Sequence, residues 1–492
     1  MIRTLIFLSA SMLTAAALAG DNIKISVNDA IMMGLENNRS LKIQKLAPLA
    51  SKTYEDESRS AFDPTLKADI SRQKSDAEQI LTRSGGGLTN VTSKEIIGNV
   101  GIEENLPTGT KLALEGKADL LNSSLYSGDF DSTRAGISIT QSLLQGLGTG
   151  TGLAALRQAR LDTRISEFEL KGFAEQLVAA IESSCWDYIL AGRQVEIYNS
   201  SLKLAEQQLS ETKERIAIGD MASAELPAAE AEAAMRKEAL ITAQGSLETS
   251  RLELIHLLAP PAINAFELGV EISDIPAVTN AKLDNVSEHI NLALKMRPDL
   301  NQAKLKVSKG ELEVVKTKNG LLPKLDLFMK YGNTGYGSSF SDSSGNINGD
   351  HFDMVAGLQL EYQIGDRASS ARNKRAKIGL EQSAEALTNL SQLVELDVRS
   401  AYIDFNNALE RSAASAATLR HRQESLKVES EKFKVGKSTS LLVAQAQRDL
   451  LSAQIQELTS TINCAKALIN LYRLEGSLLD RRGLSVVFEG RK

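Results

Sequence analysis

The residue types that most often carry out chemistry are few and scattered in this 492-residue chain. A zinc site on a helix needs two closely spaced histidines, and a common type of serine hydrolase needs a Gly-x-Ser-x-Gly turn. The sequence contains neither pattern. Its four histidines are widely separated: His256, His289, His351 and His421. The sequence therefore predicts no enzyme, and it calls for no metal and no cofactor.

The two cysteines, Cys185 and Cys464, are the other candidates for covalent chemistry. Both lie in segments predicted to be helical, and an oxidising compartment would allow a disulfide between them. The simpler interpretation is that both are small apolar residues in helix packing. The sequence favours packing and leaves the pairing open.

The N-terminus predicts export from the cytoplasm. Arg3 precedes the apolar run Leu5–Leu18, and Ala17-Leu18-Ala19 has the small residues of a cleavage site. We expect a signal peptide over residues 1–19, because the run is too short to span a membrane comfortably as an anchor helix. Loss of Arg3 with this peptide takes the formal net charge from −6 to −7, which argues against a nucleic-acid partner.

Two segments of the chain repeat one another at a fixed offset. The pattern that starts at Val27-Asn28-Asp29-Ala30-Ile31 and ends at Pro64 returns 259 residues later, from Val286-Ser287-Glu288-His289-Ile290 to Pro323. A gap-free offset over about forty residues indicates one structural module used twice. Each copy continues as a β segment, a very long helix, a tight turn and a return helix.

The long helices are predicted over 152–216 and 368–433, and the return helices over 221–258 and 438–475. Apolar or small residues recur along them at alternating steps of three and four, which is typical of helices that supercoil around partners. Many of these positions hold Ala, Ser or Thr, so a single helical hairpin would be only marginally stable. We therefore expect other copies of the chain to pack alongside.

Between the short and the long helices the apolar period changes to two. The alternation predicts strands with one apolar and one polar face at 65–72, 95–106, 110–120, 132–143, 324–331 and 352–364. Such strands are typical of a barrel with lipid outside and water inside, although a soluble sheet with one wet face has the same pattern. Long polar loops on one side of the strands favour the barrel: 73–94, 121–131 and 332–350.

In this order, and occurring twice, the features resemble the TolC-type outer membrane efflux proteins over nearly all of the mature chain. The resemblance rests on the helix starts that end at Pro64 and Pro323, on the segments 136–146 and 357–367 that lead into the long helices, and on the turns at Gly219 and Gly436.

The resemblance implies a mixed α and β membrane protein in the cell outer membrane, extending into the periplasm. The fold would be a trimeric β-barrel continued by a long α-helical coiled-coil barrel, built from two repeats at 20–258 and 286–475. Within them the short helices would be 27–62 and 286–320. The segments 259–285 and 476–492 would form an equatorial belt.

The function implied is that of an outer membrane channel-tunnel. It would export small molecules or proteins that arrive from a periplasmic adaptor and an inner-membrane pump of the RND or ABC type. The alternative is a periplasmic adaptor, which also has heptad hairpins. Adaptors carry one hairpin between small soluble domains, so the duplicated helices and the strands favour the channel.

The resemblance also assigns roles at the ends of the long helices. The turns are expected to contact the adaptor through Arg215, Gly219, Asp220, Val435, Gly436 and Lys437. A periplasmic constriction is expected at Glu225, Leu442 and Gln445. Family members often have acids past the second turn, whereas this chain has Leu442 and Gln445 there, so we expect a partly apolar neck. The alternative is that Leu442 is a buried residue of the helix seam.

The number of strands departs from the family pattern. Family members usually supply four strands per protomer, which makes twelve in the trimer, whereas six are predicted here. The additional pair flanks the turn Pro107-Thr108-Gly109. Whether the barrel has twelve or eighteen strands stays open on the sequence alone.

Overall fold

The structure, a computed structural model, describes residues 23–80, 88–124, 128–273 and 283–484. The predicted signal peptide lies outside these residues, as do parts of the two predicted belt segments, 274–282 and 485–492. The chain forms two compact units. Unit 1 takes its described residues from Met1–Pro48, Ser166–Gln302 and Leu387–Lys492, and unit 2 consists of Leu49–Ile165 and Ala303–Ala386.

The helices and strands follow one another in the predicted order. The elements before residue 260 are β1 (Ile23–Ile25), α1 (Val27–Asn37), α2 (Arg39–Arg59), β2 (Thr65–Ile80), β3 (Leu88–Asn105), β4 (Thr110–Ser123), β5 (Phe130–Ser142), α3 (Thr149–Gly152), α4 (Ala154–Ala217) and α5 (Leu226–Leu258). Those that follow are β6 (Val270–Ile272), α6 (Val286–Met296), α7 (Pro298–Asn319), β7 (Lys324–Gly337), α8 (Phe340–Gly345), β8 (Phe352–Glu361), α9 (Arg367–Lys434), α10 (Ser440–Glu475) and α11 (Leu478–Arg481).

Two helices replace the single helix predicted over 27–62. Helix α1 begins with a capping box, in which the Asp29 amide donates to Ser26 Oγ and the Ser26 amide donates to the Asp29 carboxylate, each at 3.1 Å. Asn38 ends α1, and its Oδ1 accepts from the Leu41 amide at the start of α2. Helices α6 and α7 divide at Arg297 in the same way, in place of the single helix predicted over 286–320.

The long helices follow the predicted bounds to within two residues. Helix α4 has 64 residues and α9 has 68, in place of the predicted 152–216 and 368–433. Neither helix contains proline, so no backbone donor is lost along them. The return helices α5 and α10 begin at Leu226 and Ser440, a few residues later than predicted.

The core of unit 1 is built where the short helices pack against the middle of α4. Buried residues of this cluster include Ile31, Ile181, Leu254 and Leu478. The parallel pair of strands β1 and β6 borders it, with Ile23 opposite Val270. A second cluster joins α6, α9 and α10 through residues such as Ala293, Val398 and Leu471.

Unit 2 contains an antiparallel six-stranded sheet in the order β2-β3-β4-β5-β7-β8. Several strands are longer than the alternation predicted. Strand β2 continues to Ile80 instead of 72, and β3 begins at Leu88 instead of 95. The loop predicted at 332–350 begins later, because β7 continues to Gly337, and it contains the short helix α8.

Among the helices that the structure describes, none combines the length and the apolar character needed to cross a membrane.

Candidate functional site at the two hairpin turns

Helices α4 and α5 form the first hairpin of unit 1, and its turn is shaped by Gly219. This residue has φ +78°, a conformation that a side chain at Cβ disfavours. The Asp220 amide donates to Arg215 O at 2.9 Å and the Gly219 amide donates to Ile216 O at 3.1 Å. These bonds satisfy the last carbonyls of α4 in a Schellman-type ending. A Cβ at Gly219 would meet no atom within 4 Å, so the turn is open around this residue.

Helices α9 and α10 form the second hairpin, which has the same ending. Gly436 has φ +71°, and the Lys437 amide donates to Lys432 O at 2.8 Å. Side chains reinforce this second turn. Ser438 Oγ donates to the Glu429 carboxylate, and Lys432 Nζ lies 3.3 Å from the same carboxylate. These contacts lower the pKa of Glu429 below its usual value. Thr439 caps α10 by accepting from the Leu442 amide.

Near the turns, three contacts between side chains join the two hairpins to each other. The Arg215 guanidinium lies 5.7 Å from the centre of the Phe433 ring, within the range of a cation–π contact. Ser440 Oγ donates to Glu225 Oε2 at 2.9 Å. Arg448 Nη1 donates to Glu232 Oε2 at 3.0 Å. In the region of the turns the hairpins are therefore held by contacts that are mostly exposed and individually weak.

All nine residues assigned to this region by the resemblance lie at the two turns or within the first turns of the return helices. The geometry brings Arg215 and Glu225 to partners on the other hairpin, and it leaves Val435 67% exposed. Leu442 is 46% exposed while its neighbour Val443 is 6% exposed. The buried seam position of α10 is thus Val443, and the Leu442 side chain is available for contacts outside the chain.

The sequence analysis missed the partners of these residues. Neither the contact of Arg215 with Phe433 nor the pair of Glu232 and Arg448 was predicted. The charged residues on both return helices were the available signal in the sequence. A contact between two residues that are more than 200 positions apart leaves no local pattern by which to predict it.

The sheet of unit 2 has one apolar and one polar face, as the alternation predicted. The apolar face carries a row of neighbouring residues, one on each strand, that are between 42% and 68% exposed: Leu66, Ile102, Leu114, Ile137, Tyr331 and Met354. The opposite face carries ion pairs, among them Lys67–Glu103 at 2.9 Å and Arg134–Asp353 at 2.7 Å. An apolar face this exposed needs an apolar environment.

Comparison with known proteins shows what this chain is similar to. A family model described as Outer membrane efflux protein matches residues 289–477. The Proteases secretion protein PrtF of Dickeya chrysanthemi is 22% identical over 317 residues, which are 62% of this chain and 65% of that protein. That match therefore spans just under two thirds of the length of the relative.

Solved structures of outer membrane channels have the same fold. The outer-membrane channel OprN superposes with a TM-score of 0.69 at 16% identity, over 95% of this chain and 97% of that chain. The open state of the MtrE outer membrane channel of Neisseria gonorrhoeae gives 0.64 at 20% identity, over 96% and 94%.

These findings confirm the predicted resemblance and the predicted location. The proteins of this family are channels and not enzymes. The chain therefore resembles the TolC-like outer membrane efflux proteins, in sequence over residues 289–477 and in fold over about 95% of its length.

Proposed function

We propose that the chain forms a passive export channel through the outer membrane. Its helices would receive cargo from a periplasmic adaptor and an inner-membrane pump, which supply the energy. The observation that carries the proposal is the family match over 289–477 in a chain whose fold follows solved outer membrane channels over about 95% of its length.

The two faces of the sheet support the membrane-embedded part of this proposal. In a closed barrel the apolar face would contact lipid, and the charged face would contact water in the lumen. Closure also satisfies the backbone groups of the sheet, which lipid cannot do. Strands β2 and β8 are the edges of the described sheet, so closure requires further strands.

Unpartnered side chains support a homotrimer, the assembly that the family implies. Helix α9 buries Val394, Val398 and Ala401 within the chain. A second stripe on the same helix stays exposed: Leu393 at 45%, Leu396 at 61% and Ile403 at 57%. Two stripes at heptad-like spacing are typical of a helix that packs on two neighbours, and we assign the second neighbour to another copy of the chain.

The hairpin turns would serve as the adaptor contact and the periplasmic neck. The open turns at Gly219 and Gly436 present Ile218 and Val435, which are 79% and 67% exposed. Glu225, Leu442 and Gln445 follow the turns, and in a trimer three copies of Leu442 would approach the axis and exclude water. Because the contacts between the hairpins near the turns are weak, a partner could separate the turns at low cost.

The names of the similar proteins refer to two classes of cargo. The printed name of PrtF places that relative in protease secretion, whereas the family description refers to efflux. Both uses need the same duct, with an ABC or an RND pump. The comparisons do not favour the alternative of a periplasmic adaptor.

The test is the assembly state and location of the mature protein. We expect an outer membrane protein that lacks residues 1–19 and has the mass of three chains in mild detergent. N-terminal sequencing and native mass measurement would show this. A monomer that stays in solution without detergent would overturn the proposal.

A further inference from the structure

We infer that the hairpin of β3 and β4 is part of the barrel wall, so that three copies of this chain form a barrel of eighteen strands with a widened lumen. The inference rests on the proposed function and deepens it. A lumen of this width admits bulkier cargo at the outer membrane than a twelve-stranded barrel does.

The position of the hairpin in the sheet is the first support. Strands β3 and β4 lie between β2 and β5, and each is paired along most of its length on both sides. Thirteen residue pairs join β3 to β4, from Ser93–Ser123 to Asn105–Lys111. A hairpin folded into the lumen or out of the wall would leave β2 and β5 paired with one another instead.

The side chains of the hairpin match the two faces of the sheet. Ile102 and Leu114 belong to the apolar row, at 47% and 56% exposed. On the other face Glu103 pairs with Lys67 of β2 and with Lys111 of β4, at 2.9 and 3.1 Å. Lipid on one side and water on the other is the environment that suits both sets.

The turn of the hairpin is anchored to the segment that leads into α4. The Ser142 amide donates to Gly109 O, and the Gly148 amide donates to Thr108 O, both at 3.0 Å. A Cβ on Gly109 would lie 2.3 Å from Gly146 O, and one on Gly152 would lie 2.2 Å from Pro107 O. Glycine is thus required on both sides of this contact, which fixes the turn at the helical end of the strands.

The free edges fit a second copy of the chain. Strand β8 ends beside α9 and β2 begins after α2, so the two edges of neighbouring copies would run antiparallel. Each edge carries apolar residues on the same face of the sheet, Leu66 and Ile70 on β2 and Leu358 and Leu360 on β8. Because barrel diameter grows roughly linearly with strand number, eighteen strands give a diameter about one and a half times that of twelve.

Two adjacent residues of β4 test the position of the hairpin without disturbing the fold. We would make Leu114→Cys and Glu115→Cys separately in the full-length protein and treat outer membranes with a charged, water-soluble maleimide. Cys185 and Cys464 are both buried and would give a low background. We expect Glu115→Cys to react roughly tenfold or more faster than Leu114→Cys, because a charged reagent is excluded from lipid.

A membrane-permeant maleimide should label both variants. Equal labelling of both by the charged reagent, in a protein that is trimeric and in the outer membrane, would overturn the inference and leave the proposed channel intact. A protein that is not a trimer in the outer membrane would overturn both.

Lumen width is tested by deleting the hairpin, residues 88–124. Removal of two strands keeps β2 and β5 antiparallel, so the chain could still close a twelve-stranded barrel. Ser138, on the polar face of β5 beside Ala113, would be changed to cysteine in both the full-length and the deleted chain. A short maleimide added outside intact cells should label both, and a long poly(ethylene glycol) maleimide should label only the full-length trimer.

Equal access of the long reagent to both trimers would contradict the widened lumen. If the deleted chain does not assemble, the comparison of Leu114→Cys with Glu115→Cys still decides the position of the hairpin in the wall.

Discussion

Helix α4 meets its surroundings in two different ways. In its middle, Glu175 and Glu182 are 2% and 0% exposed, and Arg482 binds Glu182 through two hydrogen bonds of 2.7 and 2.6 Å. Near its end, Arg215 rests on Phe433 across an open turn. Removing the partner of a buried charge lowers the folding stability strongly, whereas removing a contact at the exposed end lowers it little. This difference suits a channel that is rigid in one region and opens in another.

The largest expected effect comes from removing the partner of a buried charge. Arg482→Ala leaves the Glu182 carboxylate uncompensated, and we expect a loss of roughly 3 kcal/mol, near the lower end for a buried pair because Arg482 is itself about one third exposed. Amide exchange in residues 478–484 should then rise roughly 100-fold. As a control, Arg399→Ala breaks an exposed pair with Glu395 and should change little. Equal exchange in both variants would mean that the buried pair contributes no more to stability than the exposed pair.

Glu175 makes the stability of the buried part depend on pH. Burial is the main cause that raises its pKa from 4.5 to about 7, so ionisation is disfavoured in the folded state. The contribution of Glu175 to folding stability is therefore full below about pH 4.5 and is lost as the pH rises through 7. Glu175→Gln should therefore be more stable than the wild type at about pH 8, by up to about 3 kcal/mol.

The measurement is the melting temperature of the two proteins between about pH 4.5 and 8. The variant should gain on the wild type as the pH rises, and Glu169→Gln, at an exposed position of the same helix, should not. A difference that is constant with pH would contradict this account of Glu175.

A smaller effect is expected at the turn. Gly219→Ala places a Cβ at φ +78° and should cost about 1 kcal/mol, which raises local amide exchange around residues 215–226 roughly fivefold. Gly245 offers a matched control, because it lies inside α5 and a Cβ there meets nothing within 4 Å. Gly245→Ala should stabilise its helix by about 0.5–1 kcal/mol. A change in stability of the same sign in both variants would refute the role assigned to the positive φ of Gly219.

The smallest effect on stability, but a distinct effect on opening, is expected for the pair that joins the hairpins. Arg448→Ala removes the contact with Glu232 and should cost less than about 1 kcal/mol. Arg422→Ala breaks a similar pair with Asp449 inside the second hairpin. We expect only Arg448→Ala to raise the conductance of the isolated trimer. An equal rise in both would mean that the contact between the hairpins does not restrain the neck.

The sequence predicted the long helices and the order of the strands because both depend on local periodicity. It did not predict the division after α1, because Asn38 ends that helix by binding Leu257 O, 219 residues away. The heptad pattern also predicts a solvated face on α4, because outer heptad positions are usually exposed. The charged residues at these positions include Glu167, Glu169, Lys171, Glu175 and Glu182. This expectation was wrong for Glu175 and Glu182, whose burial depends on Arg482 and on the backbone of α11.

The ends of β2 and β3 were missed for a related reason. Residues 73–80 are mostly polar on both faces, so the apolar alternation ends there. They remain a strand because their backbone pairs with 88–95. Gly219 and Gly436 lie in the predicted turns and have positive φ, while the contacts between the hairpins depend on tertiary structure.

The most direct test of the account is the single-channel conductance of the purified protein in planar lipid bilayers, measured for the wild type and for Leu442→Ser. We expect discrete steps from the wild-type trimer and larger steps from Leu442→Ser at an unchanged melting temperature, because Leu442 is 46% exposed and would line the neck. If neither inserted trimer gives conductance steps, the protein is not an export channel. If Leu442→Ser lowers the melting temperature and leaves the conductance unchanged, the neck lies elsewhere.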